Sequence, residues 1–199
     1  MFTGIVQAIG RIAELKSSGQ TATVFIDAGG LDLSDVAVGD SVACNGICLT
    51  VTRLAPDGFS VDVSQETLRV TAGFAAGAAI NLEKSLRLAD RLGGHLVSGH
   101  VDGFGTVRSV RAVEGNRELA IAFPQDLARY FARKGSVTVN GVSLTLNVVD
   151  GQSFLVNLIP HTLTATNLGE LKTGSVVNLE VDLVARYVQR MLESSKEFR

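Results

Sequence analysis

A chain of 199 residues, 46% hydrophobic and 19% charged, can bury one sizeable core or two small ones and carries too little charge for a disordered polyelectrolyte. Its formal charge of −2 and its scattered Lys and Arg exclude a nucleic-acid footprint and a basic membrane surface. Apolar runs are soon interrupted by Gly, Asp or Arg, and the opening MFTGIVQAIGR lacks the charged start and long hydrophobic stretch of a signal peptide, so a soluble cytoplasmic protein is expected.

In chain order, period-two alternation marks short strands at roughly 3 to 14, 21 to 28, 39 to 45, 47 to 54, 58 to 64 and 78 to 84, with matching runs in the second half. Between the third and fourth runs lies SVACNGICLT, residues 41 to 50. Asn45-Gly46 suits a two-residue type I′ hairpin turn, which pairs 44 with 47 and 43 with 48. The two cysteines, Cys44 and Cys48, then point to opposite faces, against both a disulfide and a zinc half-site. Ser41, Cys48 and Thr50 share one face, and Val42, Cys44, Ile47 and Leu49 share the other. The apolar face belongs to a core, whereas the small polar face has none of the long charged residues usual on a solvated strand. It suits a neutral ligand rich in hydroxyls, each hydrogen bond contributing about 0.5 to 1.5 kcal/mol.

Brief helical pieces are expected at 66 to 71, 124 to 133 and 161 to 167, and RLADRLGGH at 87 to 95 reads as a helix-like boundary segment ended by Gly93-Gly94. The hairpin then recurs as SVTVNGVSLT at 136 to 145, with six of ten positions identical. At the same offset FTGIVQAIGRI (2 to 12) lies over VSGHVDGFGTV (97 to 107), and over 38 to 68 against 133 to 163 ten of 31 positions are identical. GAAINLEKSL (77 to 86) also aligns with GSVVNLEVDL (174 to 183) after a two-residue shift. So long a period is a duplicated domain, not a solenoid. Six short strands per copy suggest two small closed barrels, because closure removes aggregation-prone edges. The fold class is therefore all-β, with two tandem six-stranded antiparallel barrels over 1 to 92 and 93 to 183 and an amphipathic helix over 184 to 199. On that helix Val184, Tyr187, Val188, Met191 and Leu192 form a stripe, which either docks on its own barrels or associates with identical chains.

His95, His100 and His161 show no metal-ligand spacing, and GHVDGFG at 99 to 105 does not complete a dinucleotide fingerprint, so neither a metal nor a nucleotide cofactor is expected. His100 could serve as acid or base near neutral pH.

Six motifs in order, MFTGIV, NGICLTV, QETLRVT, GGHLVSGHVDG, NGVSLTLNVV and LIPHTLTATNLG, resemble the α-subunit type of riboflavin synthase over nearly the whole chain. The resemblance implies Greek-key barrels, no cofactor, and dismutation of two molecules of 6,7-dimethyl-8-ribityllumazine to riboflavin and 5-amino-6-(D-ribitylamino)uracil by transfer of a four-carbon unit. It implies a homotrimer assembled by the C-terminal helix, with the reacting pair held between the N-barrel of one chain and the C-barrel of its neighbour. Some members also associate with lumazine synthase shells. By position, the N-terminal pocket comprises Gly4, Ile5, Val6, Cys48, Leu49 and Thr50, with Ser41 beneath, and Asp62, Val63, Ser64, Gln65, Glu66 and Thr67. The C-terminal pocket comprises Gly99, His100, Val101, Ser143, Leu144 and Thr145, and Ile159, Pro160, His161, Thr162, Leu163 and Thr164. Lys134 matches a lysine that reaches the adjacent chain's site. The resemblance further points to Cys48 and His100 for proton transfer or nucleophile delivery, to Ser41, Thr50 and Thr145 for orienting substrate, and to Ser143 and Asp182 as further catalytic candidates. His161 stands where many members carry Glu, and Ser143 replaces the first copy's Cys48. A rival reading is a non-catalytic lumazine or flavin carrier, like the antenna proteins of luminous bacteria.

Overall fold

Alternation with one apolar face obliges each hairpin to turn that face inward. The computed structural model, which describes residues 1 to 197, does this twice. In the first repeat β1 (Ala8–Ser18), β2 (Thr21–Asp27), β3 (Ser41–Cys44), β4 (Ile47–Ala55), β5 (Gly58–Ser64) and β6 (Ala79–Lys84) form a closed barrel in the order β1-β2-β5-β4-β3-β6. Closure comes from β6 pairing back on β1, Ala8 opposite Leu82 and Arg11 opposite Ala79. Register shifts after Ile12 in β1 and Val51 in β4 add the local bend that so small a barrel needs. Ile12, Val24, Val42, Cys44, Leu49, Phe59, Val61 and Leu82 fill its core.

The second repeat lays down β7 (Gly103–Val113), β8 (Asn116–Ala122), β9 (Ser136–Val139), β10 (Val142–Thr145), β11 (Val148–Val149), β12 (Ser153–Leu158) and β13 (Val176–Val181) in the equivalent order, β10-β9-β13-β7-β8-β12-β11. One difference from the first barrel stands out. The counterpart of β4 is broken into β10 and β11 at Leu146 and Asn147, although Leu146 is buried and donates its N–H to the Gly135 carbonyl just as Val51 of the first repeat donates to Asp40. No ladder joins β10 to β12, so this sheet curls around a single core without the hydrogen-bonded closure expected of it. Phe123, Phe131 and Phe154 occupy that core with ring centroids 4.7, 5.8 and 5.3 Å apart.

The recurring Asn-Gly dipeptide has a packing reason. Asn45 and Gly46 take φ of 49° and 81°, and Asn140 and Gly141 take 48° and 78°, both type I′ turns. The two turns meet back to back: a Cβ at Gly46 would lie 2.8 Å from the Gly141 nitrogen, and one at Gly141 2.7 Å from the Gly46 nitrogen. Around them runs a pseudo-twofold amide network. Asn81 N–H donates to Asn45 Oδ1 and Asn178 N–H to Asn140 Oδ1, both at 2.8 Å, while Asn81 Nδ2 donates to the Asn140 carbonyl and Asn178 Nδ2 to the Asn45 carbonyl. Burial of these amides is tolerable only because they satisfy each other.

Three local expectations change. β1 starts at Ala8, not at residue 3, because the chain before it leaves the barrel, Phe2 bridging to Val97. Residues 87 to 95 form no helix; the Asp90 carboxylate accepts the Arg87 N–H and so closes a turn. The segment expected at 124 to 133 is only a 3-10 turn, Gln125–Tyr130, cut short where Phe131 enters the core. The remaining helical pieces are α1 (Gln65–Val70), α2 (Pro160–Ala165) and a 3-10 turn, Asn167–Glu170. The chain ends in α3 (Leu183–Glu197); residues 198 and 199 of the expected helix lie outside the described residues. Its apolar stripe faces away from its own barrels, Tyr187 being 64% and Met191 72% exposed, so the docking alternative does not hold within the chain. No helix among the described residues is long and apolar enough to cross a membrane.

Candidate active site

The β3-β4 hairpin pairs Ser41 with Thr50 and Ala43 with Cys48, which puts those four side chains on one face and Cys44 on the other. Cys44 is sealed in the core, where burial pushes its thiol far up. Cys48 is half-buried beside Phe2, Ala43 and Val97. The β9-β10 hairpin repeats the register, Ser136 opposite Thr145 and Thr138 opposite Ser143. Thr50 and Thr145 are exposed; Ser41 and Ser143 are half-buried.

What lies against each hairpin corrects the expected grouping. Cys48 N–H donates to the Gly99 carbonyl at 2.9 Å, and Ser143 N–H donates to the Gly4 carbonyl at 2.8 Å. A Cβ at Gly99 would stand 2.6 Å from Cys48 Cβ, and one at Gly4 2.6 Å from Ser143 Cβ, with φ of +81° and +75°. Val101 packs on the first core and Val6 on the second. Gly4, Ile5 and Val6 therefore sit with Ser143, and Gly99, His100 and Val101 sit with Cys48, the reverse of what position along each repeat implies. The physical reason is a crossing of the two entry segments: each repeat sends the residues before its first strand onto the other's hairpin.

The other expected residues divide by burial. Leu49 and Val63 point into the first core, leaving only their backbone available to a ligand, and Leu144 and Leu163 pack half-buried against the second. Asp62 accepts from Thr23 Oγ1, Ser64 caps α1 by accepting the Thr67 N–H and also bonds Thr67 Oγ1, and Glu66 pairs with Arg69 while Gln65 is exposed. Ile159, Pro160, His161 and Thr164 are exposed at the start of and along α2, with Thr162 half-buried. His100 is exposed beside Gly99, and Lys134, at φ +70°, is exposed with its N–H bonded to the Leu146 carbonyl. Asp182 accepts the Val184 N–H and so caps α3.

Sequence reasoning passed over one group. His95 Nδ1 lies 2.7 Å from Ser143 Oγ, and its Nε2 is buried without a hydrogen-bond partner among the described residues. Burial holds this imidazole below its ordinary 6.5, opposed by the nearby charge of Asp182. A neutral imidazole paired with a hydroxyl is suited to take a proton. Cys48, in the equivalent hairpin position, packs instead on the apolar group of Phe2, Ala43 and Val97, so the two sites differ in chemistry although they share a backbone. The GGHLV run was the available signal, but periodicity alone does not show that residue 95 reaches residue 143.

Two clefts, of about 640 and 410 Å³, take in one candidate residue each: one beside Thr3, Ile5 and Gly93 with an ion-paired wall of Lys84, Asp35, Arg87 and Asp90, the other over Thr23, Ser60 and Asp62. Neither is lined by Cys48, Thr50, Ser143 or Thr145, whose faces are open in the single chain. Among the described residues no three His, Cys, Asp or Glu side chains gather as a metal site.

A family model of the lumazine binding domain matches twice, over residues 3–85 and 98–182. Riboflavin synthase of Photobacterium phosphoreum is 45% identical over 194 residues, spanning 96% of this chain and 89% of that protein. The chain belongs to the riboflavin synthase family. Within the family, the synthase of Mycobacterium tuberculosis (strain CDC 1551 / Oshkosh) is 42% identical over 201 residues, 98% of this chain and all 100% of that one. Among solved structures, LumP complexed with riboflavin superposes with a TM-score of 0.83 at 29% identity, covering 91% of this chain and 99% of that one. LumP complexed with 6,7-dimethyl-8-(1'-D-ribityl) lumazine gives 0.81 at 28%, with the same coverage.

Proposed function

We propose that the chain is a riboflavin synthase that dismutates two molecules of 6,7-dimethyl-8-ribityllumazine, with the proton-transfer chemistry concentrated at the hairpin of the second repeat. The observation that carries this is the His95–Ser143 contact, 2.7 Å between Nδ1 and Oγ, on one of two otherwise matching polar faces. Two identical substrates call for two similar sites, and a donor and an acceptor call for unlike side chains within them.

The lumazine C7 methyl is acidic because its carbanion delocalises into the ring, so a neutral imidazole with an adjacent hydroxyl is base enough. The anion attacks the second lumazine, a pentacyclic adduct forms, and eliminations release riboflavin and the diaminopyrimidine, the four-carbon unit having moved from one ring to the other. Thr50, Thr145 and Ser41 hydrogen-bond the substrates, and Cys48 and His100 assist proton transfer or nucleophile delivery on the partner molecule. Holding the pair stacked supplies several kcal/mol through orientation alone.

The open hairpin faces and the uncovered stripe on α3 support one further element of this reading: three copies assemble through α3, and each reacting pair is enclosed between the first barrel of one chain and the second of its neighbour. In this reading Lys134, which is exposed, reaches across that boundary. A carrier is the weaker reading. Both hairpins keep Ser, Asn-Gly and Leu-Thr, and identity is 45% to a synthase against 29% to LumP.

The test is to incubate the purified chain with the lumazine in the presence of a chelator and follow both products by chromatography. Two lumazines lost for each riboflavin and each pyrimidine formed is the expected result; tight binding without turnover would assign the carrier role.

A further inference from the structure

The crossing of the entry segments is held by two carboxylates that nothing in the chemistry above uses. Glu83, on β6 of the first barrel, is buried at 5% exposure. Its Oε1 accepts from the Thr3 N–H at 2.6 Å and from Thr3 Oγ1 at 2.7 Å, and its Oε2 accepts from the Gly4 N–H at 3.0 Å. Glu180, on β13 of the second barrel, is buried at 2% and repeats the pattern on Ser98 N–H, Ser98 Oγ and Gly99 N–H at 2.6, 2.6 and 2.9 Å. Gly4 and Gly99 are the residues whose carbonyls receive Ser143 N–H and Cys48 N–H.

We propose that Glu83 and Glu180 are positioning residues acting crosswise: Glu83 of the first barrel sets the ligand face of the second hairpin, and Glu180 of the second barrel sets that of the first. This rests on reading the two hairpin faces as lumazine sites. The linkage is short and continuous. Glu83 fixes Thr3 and Gly4; Gly4 touches Ser143 through its carbonyl and through the absent Cβ that a larger residue would drive into Ser143. Val6, two residues on, rests on the second core, and His95 N–H donates to the Thr3 carbonyl at 3.1 Å, so the same clamp also anchors the imidazole beside Ser143. On the other side Glu180 fixes Ser98 and Gly99, and with them the Cys48 amide, His100 and Val101.

The carboxylate form is required by donor counting. Three donors converge on each group, and two carboxylate oxygens accept all of them. An amide keeps one acceptor and presents an NH₂ group to a backbone N–H, so one anchor must be lost. Burial pushes both carboxyls up, while the donated hydrogen bonds oppose it. The Thr3 and Ser98 hydroxyls make the motif a two-residue signature, Thr3-Gly4 and Ser98-Gly99, answered by Leu82-Glu83 and Leu179-Glu180 in the strands that end each repeat.

Glu83→Gln and Glu180→Gln test this in the full, isotopically labelled chain by two readouts, amide hydrogen exchange at Cys48 and Ser143 and lumazine-induced shifts at Thr50 and Thr145. E83Q is expected to speed exchange of the Ser143 amide at least tenfold and to weaken the Thr145 titration roughly tenfold, about 1.4 kcal/mol, leaving Cys48 and Thr50 unchanged. E180Q should do the reverse. Thr3→Val and Ser98→Ala, which delete one donor and keep the charge, should move the same amides by a smaller factor, so the test survives if a Gln variant fails to fold. An effect on the hairpin of the same barrel, or equal effects on both, would overturn the proposal. If the unaltered chain shows no lumazine-induced shift at either threonine, the functional reading fails, and the exchange pattern alone then decides whether the clamps act crosswise.

Discussion

Replacing Gly46 by Ala separates two costs that usually come together. In the left-handed region a side chain costs about 1 to 2 kcal/mol whatever surrounds it. Gly115, at φ +82° in the β7-β8 turn, shares that backbone conformation with Gly46 at +81°, but a Cβ there would meet nothing within 4 Å. Gly115→Ala should therefore cost only the conformational amount. At Gly46 the added methyl would stand 2.8 Å from the Gly141 nitrogen and 3.0 Å from its Cα, both backbone atoms that cannot swing aside. Relief means parting the two turns, which stretches the hydrogen bonds that the Asn81 and Asn178 amides donate to the Asn140 and Asn45 carbonyls. Losing one such buried bond costs about 1 to 3 kcal/mol, so Gly46→Ala should lose about 2 to 5 kcal/mol, a large part of a small protein's stability. Urea midpoints of the two variants, with unchanged m-values, measure the difference. Equal losses would refute the claim that the repeats are registered by contact between their turns.

Four other outcomes follow from the same geometry. Because burial lowers the His95 pKa, the folded chain holds fewer protons than the unfolded one as pH falls below 6.5; this stability is fully present above 6.5 and is lost on descent through the lowered value. Turnover should fall along the same acid limb, and Asp182→Asn, which still caps α3, should move that limb lower; a rise would contradict the assignment of His95 as base. Cys48→Ser and His100→Gln should slow turnover by roughly tenfold or more while lumazine affinity changes little, and a loss of affinity alone would remove both from the chemistry. Met191→Glu should leave the circular dichroism spectrum intact, convert a trimer to single chains in light scattering and abolish turnover; an unchanged mass would show that the stripe on α3 is not the assembly surface.

Much of this architecture was legible because it is written in local alternation and in duplication. The I′ turn at Asn45-Gly46 dictated the hairpin register, the opposite placement of Cys44 and Cys48, and the polar face of Ser41, Cys48 and Thr50. The crossing of the entry segments was not legible. FTGIV and VSGHV carry the same spacing whether each folds back on its own repeat or onto the other, and only the close approach of Gly4 to Ser143 and of Gly99 to Cys48 distinguishes the two. His95 was missed for the same reason, since its partner lies 48 residues away. The break between β10 and β11 was hidden as well, because Leu146, which follows β10, continues that strand's apolar alternation.

The most direct measurement co-expresses two inactive variants, one disabled at the first hairpin by Thr50 and Cys48 replacements and the other at the second by His95 and Ser143 replacements. If reacting pairs are enclosed between the first barrel of one chain and the second of its neighbour, random assortment restores a fully intact site at about one interface in four, so the co-expressed pool should regain roughly a quarter of normal turnover. Each variant alone should stay inactive. No activity in verified mixed trimers would contradict the account and place both lumazines within a single chain.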